Sequence, residues 1–457
     1  MFCGRKSELD FLQTRYQSRD AQLIVLYGRR RVGKTELLRE FCKGKPHVFY
    51  AAKECDDAEQ LRDFSQQILK GNEAARFVSV FDNWEKAFSA VLTLETDCKK
   101  LLVLDEFPYM VNGKRAIPSI LQNLWDAVLS RENVMLILCG SAMSFIEKEL
   151  LAEKNPLYGR ATGILKLGEM DFYEACQFFP TYSAQDKVLT YAILGGIPYY
   201  LKQFDGTQSI EANIKQNILT RGCILYNEVE FLMHRELREP ALYNSLISAI
   251  ALGATQLNEI HQKTQIEKTK INVYLKNLIE LHVLKREFPL SEPVKQQANI
   301  QRGLYALADN YFRFWYRFLF PNMSELEAGD TDGIYDFVIR PHLDEFASKA
   351  FEDICIRYLR AKNRQGALPF RFSRIGRYWD KNTEIDILAF DSGGNAVLAG
   401  ECKYRNKLFD KRDSDKLRRK SLPCSDDTAI HYVAFSKSGF AEGLPSDMLC
   451  VSAEELV

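Results

Sequence analysis

Residues 28–35 read GRRRVGKT, the spacing G-x-x-x-x-G-K-T. A loop of this type cradles phosphate: its backbone N–H groups wrap the oxygens, helped by the positive end of the helix that follows. Gly28, Arg31, Val32 and Gly33 supply that backbone, and Glu36 lies just inside the helix. Lys34 can reach the β- and γ-phosphates of ATP or ADP, and the Thr35 hydroxyl is suited to ligate Mg²⁺. A second pair that could do chemistry lies in NAVLAGECKYRN, where Glu401 and Lys403 are separated by one residue at the end of an apolar run. Strand side chains alternate faces, so a carboxylate and an ammonium project side by side there. They form either a surface salt bridge worth under about 1 kcal/mol or half of an active site.

The elements that must position the first set are legible. AQLIVLY is an apolar strand before the loop, and the helix after it carries apolar Leu37, Leu38 and Phe41. A second strand, KKLLVLDEFPYM, ends in Asp105-Glu106. Asp105 would hold Mg²⁺, directly or through a water, and Glu106 would polarise the attacking water. A third strand, NVMLILCGSAMS, carries Ser141 at its end, where a sensor of the γ-phosphate would sit. NPLYGRATGILKLGEM contributes Arg160, which reads equally as a phosphate-sensing or trans-acting arginine and as a surface arginine in a loop. Strands alternating with helices predict an α/β fold with a parallel sheet covered on both faces.

Together MFCGRKSELDFLQ, YGRRRVGKTELL, LLVLDEFPYM, LCGSAMSF, PLYGR and LGGIPYYL resemble the archaeal-type branch of the STAND ATPases, relatives of AAA+ proteins, over residues 1 to about 320. The resemblance implies a P-loop ATPase core over 1–170 and a helical lid over 171–238. It places Gly4-Arg5 near the nucleotide base and closes Gly196-Ile197-Pro198 over the nucleotide. It also implies a nucleotide-dependent switch, with self-association in the nucleotide-bound state.

Residues 239–320 read as a winged-helix domain: three helical stretches, then a two-stranded wing whose long loop contains Pro293. Ile271, Tyr274, Leu275, Leu278 and Leu281 give the third helix a core face. Lys268, Lys270, Asn272 and Lys276 lie on or near its exposed face, where such a helix enters the DNA major groove. Packing or protein contact fits this segment as well as DNA binding does. Phe312, Trp315 and Leu319 fall at helix spacing and read as packing. The polar, acidic stretch PNMSELEAGDTDG marks a linker over 321–340.

Beyond it the order is αβββαβ over 341–457: an amphipathic helix containing Glu352, three strands, a helix DKRDSDKLRRKSL and a strand AIHYVAFSKSGF. Glu384, Asp386 and Leu388 should share one strand face, and Val397, Ala399, Glu401 and Lys403 another. Asp, then Glu-x-Lys, with an upstream helical Glu, resembles the PD-(D/E)XK nuclease superfamily, particularly its Holliday-junction-resolvase-like members, over roughly residues 341 to 440. Ile385 replaces the proline of that motif. The resemblance implies a restriction-endonuclease-like domain in which Asp386, Glu401 and the Cys402 carbonyl cage Mg²⁺ or Mn²⁺. Lys403 would orient a water or neutralise phosphate, and Glu352 would hold a metal-bound water. Arg371, Arg374, Arg377, Lys381 and KYRNKLFDKRDSDKLRRK add local positive charge suited to a DNA backbone.

The 457 residues are too many for one ordinary core. With 46% hydrophobic and 27% charged residues, the composition is that of a globular protein. A net charge of zero excludes a global field for polyanions, so a nucleic-acid surface must be a local patch. Eleven cysteines without a CxxC pair argue for reduced thiols rather than disulfides or zinc. The charged start GRKSELD and the arginines in NYFRFWYRFLF predict no signal peptide and no membrane partner, hence a cytoplasmic protein. Two functional classes follow: an ATP-regulated, metal-dependent DNA endonuclease, or a nucleotide-switched DNA- or protein-binding signalling protein with an inactive nuclease-like domain.

Overall fold

The computed structural model describes residues 2–70, 78–94, 96–237, 239–292, 303–422 and 429–457. Pro293 lies outside them. The chain divides into two compact units, Met1–Met170 with Ile197–Tyr199, and Asp171–Gly196 with Tyr200–Val457.

The first unit begins with helix α1 (Lys6–Gln17) and is built on a five-stranded sheet. Its strands are β1 (Gln22–Tyr27), β2 (His47–Ala51), β3 (Lys100–Asp105), β4 (Val134–Gly140) and β5 (Gly163–Lys166), in the order β2-β3-β4-β1-β5. Every pairing is parallel. The alternation is visible in the cores: Leu23, Val25, Leu102, Leu104, Leu136 and Leu138 pack on one face. Ile24, Leu26, Leu101, Val103, Met135 and Ile137 pack on the other. Full burial of each such side chain stabilises by about 1.5–3 kcal/mol, so both faces hold the strand ends in place. Helix α2 (Lys34–Cys42) follows β1 and buries Leu37, Leu38 and Phe41.

The second unit includes α3 (Pro240–Ala251), α4 (Leu257–Thr264) and α5 (Lys268–Glu280), then an antiparallel pair, β6 (Leu284–Glu287) with β7 (Leu304–Leu307). Ile271, Leu275 and Leu278 of α5 are buried, whereas Lys268, Lys270, Asn272 and Lys276 are exposed. Phe312, Trp315 and Leu319 are buried, as packing requires. Residues 321–340 correct the expectation of a linker. They form helical turns that bury Leu326, Ile334, Tyr335 and Ile339, because the apolar run IYDFVI follows the acidic stretch.

The mixed C-terminal sheet follows helix α6 (Leu343–Gln365). Its strands are β8 (Arg374–Trp379), β9 (Glu384–Phe390), β10 (Ala396–Lys403), β11 (His431–Ser436) and β12 (Met448–Ser452), with α7 (Lys411–Arg418) between β10 and β11. The order is β12-β11-β10-β9-β8, with β8, β9 and β10 antiparallel and β10, β11 and β12 parallel. The last strand, β12, extends the expected order.

The expectation for Val397 is also corrected. A register shift between Ala396 and Leu398 breaks the alternation, so Ala396 and Ala399, three residues apart, join the same core cluster. From Ala399 onward the register with β9 is regular, Ala399 with Leu388 and Gly400 with Ile387. Just beyond it, the Cys402 N–H donates to Asp386 Oδ2 at 2.9 Å, which brings Asp386 beside the end of β10. The open edge of β8 is met by the chain leaving β6: Leu290 N–H donates to the Arg377 carbonyl at 2.9 Å.

Candidate functional site

In the first unit the strand ends gather the phosphate-type loop and its acidic partners. Gly28 is required by a close approach, since a Cβ there would lie 2.2 Å from the Leu167 carbonyl oxygen. Gly33 has φ +89, a left-handed conformation that a side chain disfavours. Lys34 is buried, and its Nζ donates to the carbonyl oxygens of Gly28 at 2.9 Å and Arg29 at 3.0 Å. Burial holds its pKa below the usual lysine range, opposed by Cys139, Glu106 and Asp105. The Thr35 hydroxyl donates to Asp105 Oδ2 at 2.7 Å, joining the first turn of α2 to the end of β3, seventy residues apart in sequence.

Glu106 sits at φ 51 and accepts a hydrogen bond from Ser141 Oγ at 2.9 Å. Three of the sequence-selected strand-end residues therefore lie on one hydrogen-bonded rim with the loop. Arg5, also left-handed at φ 62, is buried and braces the loop rather than projecting outward. Its Nη2 donates to the carbonyls of Val32 at 3.1 Å and Gly168 at 2.6 Å. Pro198 approaches the loop, its Cγ being 3.6 Å from where a Cβ on Gly33 would stand. Arg31 stacks over the Tyr199 ring at 3.9 Å, a partner the sequence did not single out. Glu36 is exposed in the first turn of α2.

Arg160 is engaged elsewhere. Its Nε and Nη2 grip both carboxylate oxygens of Asp126, at 2.8 and 2.7 Å, and its Nη1 donates to the Pro156 carbonyl at 2.9 Å. The donor set of Lys34 Nζ, Thr35 Oγ1 and the Asp105 carboxylate fits nucleotide phosphates with a hard cation, which takes oxygen ligands.

A domain model described as an ATPase domain predominantly from Archaea matches residues 2–204. An uncharacterized protein of Methanocaldococcus jannaschii is 31% identical over 443 residues, covering 96% of this chain and 96% of its own. The chain belongs to this archaeal ATPase-domain family. A second model, Archaea bacterial proteins of unknown function, matches residues 315–417 of the chain. The Walker-type ATPase of Pyrococcus abyssi shares the fold, with a TM-score of 0.50 at 20% identity over 69% of this chain and 96% of that one. The ORC2 protein of Aeropyrum pernix gives a TM-score of 0.43 at 14% identity, over 72% and 95% respectively. No helix among the described residues is long and apolar enough to cross a membrane.

The second set lies at the β9–β10 strand ends of the second unit. Glu401 is only 8% exposed, so the pair with Lys403 is no surface salt bridge. Lys420, the last residue of the basic stretch read as suited to DNA, instead supplies a second ammonium, with Nζ 2.7 Å from Glu401 Oε2. Burial would raise the Glu401 carboxyl, but hydrogen bonds from Lys403 and Lys420 hold it below the usual range. Asp386 is pushed up by burial and by the Glu401 charge, and accepts a hydrogen bond from the Cys402 N–H at 2.9 Å. Their carboxyls are thus shifted in opposite directions, the condition under which two carboxylates take different roles.

Glu352 approaches on α6, where Arg377 Nε lies 3.0 Å from its Oε2. Burial pushes the Glu352 carboxyl up, partly offset by Arg377. Arg377 also binds Glu384 at 2.9 Å and Glu287 at 3.4 Å, so the sequence-level reading of it as a free cation for DNA gives way to a clamp on three acids. Arg371 and Arg374 are likewise engaged, with the carbonyls of Asn363 and Leu290. Among the described residues no three His, Cys, Asp or Glu side chains come together as a metal-binding group. The candidate donor set is therefore two carboxylates and the Cys402 carbonyl, an all-oxygen set that fits Mg²⁺ or Mn²⁺.

Proposed function

We propose that the protein is an ATP-binding, ATP-hydrolysing switch whose nucleotide state controls a metal-dependent, DNA-cleaving C-terminal domain. The observation that carries the first half is the Thr35–Asp105 hydrogen bond beside buried Lys34. Thr35 and Asp105 would hold Mg²⁺ with the nucleotide, and Lys34 would turn from the loop carbonyls to the β- and γ-phosphates. Glu106 would orient the attacking water, with Ser141 fixing its carboxylate in place. Gly4-Arg5 would bracket the nucleotide from the base side, and Pro198 would close over the loop. The domain divisions at 1–170, 171–238 and 239–320 belong to this reading, with the middle segment as a winged helix.

In the C-terminal domain, Asp386, Glu401 and the Cys402 carbonyl would hold Mg²⁺ or Mn²⁺, which when bound supplies an activated water and charge neutralisation. Lys403 would then face the scissile phosphate, and Glu352 would orient a water. A second reading, an inactive domain that binds DNA or protein, is favoured by one feature: Glu401 is already neutralised by two lysines. Nucleotide titration tests the first half. Lys34→Ala removes the charge facing the phosphates and is expected to weaken ATP–Mg²⁺ binding by more than about tenfold. Unchanged affinity would overturn the assignment.

A further inference from the structure

Trp379 is set apart from the other tryptophans of the chain. Trp84, Trp125 and Trp315 are at most 5% exposed, whereas Trp379 at the end of β8 is only partly buried. Among the described residues its ring stacks on no other ring and its indole N–H has no hydrogen-bond partner. It lines a cavity of about 360 Å³ with Leu304, Arg377, Lys381, Asn382 and Glu384. That volume falls within the roughly 300–1,000 Å³ of small-ligand sites.

The cavity is built on a rigid turn. Asp380 accepts hydrogen bonds from the N–H groups of Asn382 and Thr383, both at 2.8 Å, and from the Tyr378 hydroxyl at 3.0 Å. Its own N–H donates to the Thr383 carbonyl at 2.9 Å. Lys381 is exposed on this turn and makes no ion pair among the described residues. Trp379 faces Glu384 across the strands, and Glu384 lies two residues along β9 from Asp386, about 7 Å. A flat apolar face, a free ammonium and a carboxylate acceptor thus surround one small space beside the acidic pair. That combination suits an unpaired base, whose face stacks, whose ring N–H or amino group donates and whose phosphate is anionic.

We propose that this cavity holds one unpaired nucleobase of a DNA strand, stacked on Trp379, with Lys381 on its phosphate. The proposal rests on the DNA-acting reading of the C-terminal domain and narrows its substrate to DNA with unpaired bases, such as branches, flaps or single strands. Binding is measurable without cleavage, in EDTA, by the anisotropy of a fluorophore on the DNA, with tryptophan fluorescence recording the stacking. The probes are a short single-stranded oligothymidylate, an abasic strand of equal length, and a duplex.

The oligothymidylate is expected to quench the fluorescence and to bind more tightly than the abasic strand. Trp379→Ala is expected to weaken its binding roughly fivefold or more while leaving duplex affinity unchanged. Trp379→Phe, which keeps a stacking face, is expected to restore the affinity without the quench. Equal affinity of wild type and Trp379→Ala for the oligothymidylate, with DNA still bound, would overturn the base site alone. Failure of the wild-type protein to bind any of the three probes would overturn the DNA-acting reading and the base site together.

Discussion

Glu106 shows how one side chain is placed by its neighbours. Its left-handed backbone and the hydrogen bond from Ser141 aim its carboxylate along the rim that Lys34, Thr35 and Asp105 also occupy. Glu106→Gln keeps the size and removes the charge that, on the proposed function, would polarise water. The variant is expected to bind ATP as the wild type does and to hydrolyse it at least about a hundredfold more slowly, as for loss of a general base. Phosphate release measured beside nucleotide affinity checks both halves, and wild-type turnover would assign the water to another group. The loop, Asp105 and Glu106 were legible because local spacing and strand ends encode them. Lys420 beside Glu401 and Asp126 under Arg160 were not, because the partners are distant in sequence and no motif links them.

At the scale of elements, Glu287 of β6 ties the middle segment to the C-terminal sheet. It pairs with Lys349 of α6 at 2.9 Å, Lys285 at 3.0 Å and Arg377 of β8 at 3.4 Å. Burial alone would raise its pKa, but Lys349 and Lys285 outweigh burial and bring it from 4.5 down to about 2. A depressed carboxyl contributes stability that is fully present above its unfolded pKa and is lost as pH falls from 4.5 to about 2. The shift corresponds to roughly 3 kcal/mol. Glu287→Gln is therefore expected to lower the thermal midpoint at neutral pH, and the difference from wild type should shrink at about pH 2–3. An equal difference at both pH values would show that the cluster does not act through ionised Glu287. Helical periodicity and strand alternation exposed most elements, including the αβββαβ order. They missed β12, the shift at Val397 and the docking of Leu290 on β8, since bulges and edge contacts are settled by tertiary packing.

For the whole molecule, the first unit carries the features of an ATPase and the second carries a buried acid–lysine cluster, and the account holds that the first governs the second. The central claim is tested most directly by strand cleavage of branched, single-stranded and duplex DNA, each with Mg²⁺ or Mn²⁺, with and without ATP. The account predicts metal-dependent cleavage of DNA bearing unpaired bases, at a rate that changes with ATP. Asp386→Asn and Lys403→Ala should both abolish it, with only Asp386→Asn weakening metal binding, because an ammonium is not a ligand. In Lys34→Ala the dependence on ATP should vanish. Absence of cleavage under every condition, or cleavage that persists in Asp386→Asn, would contradict it.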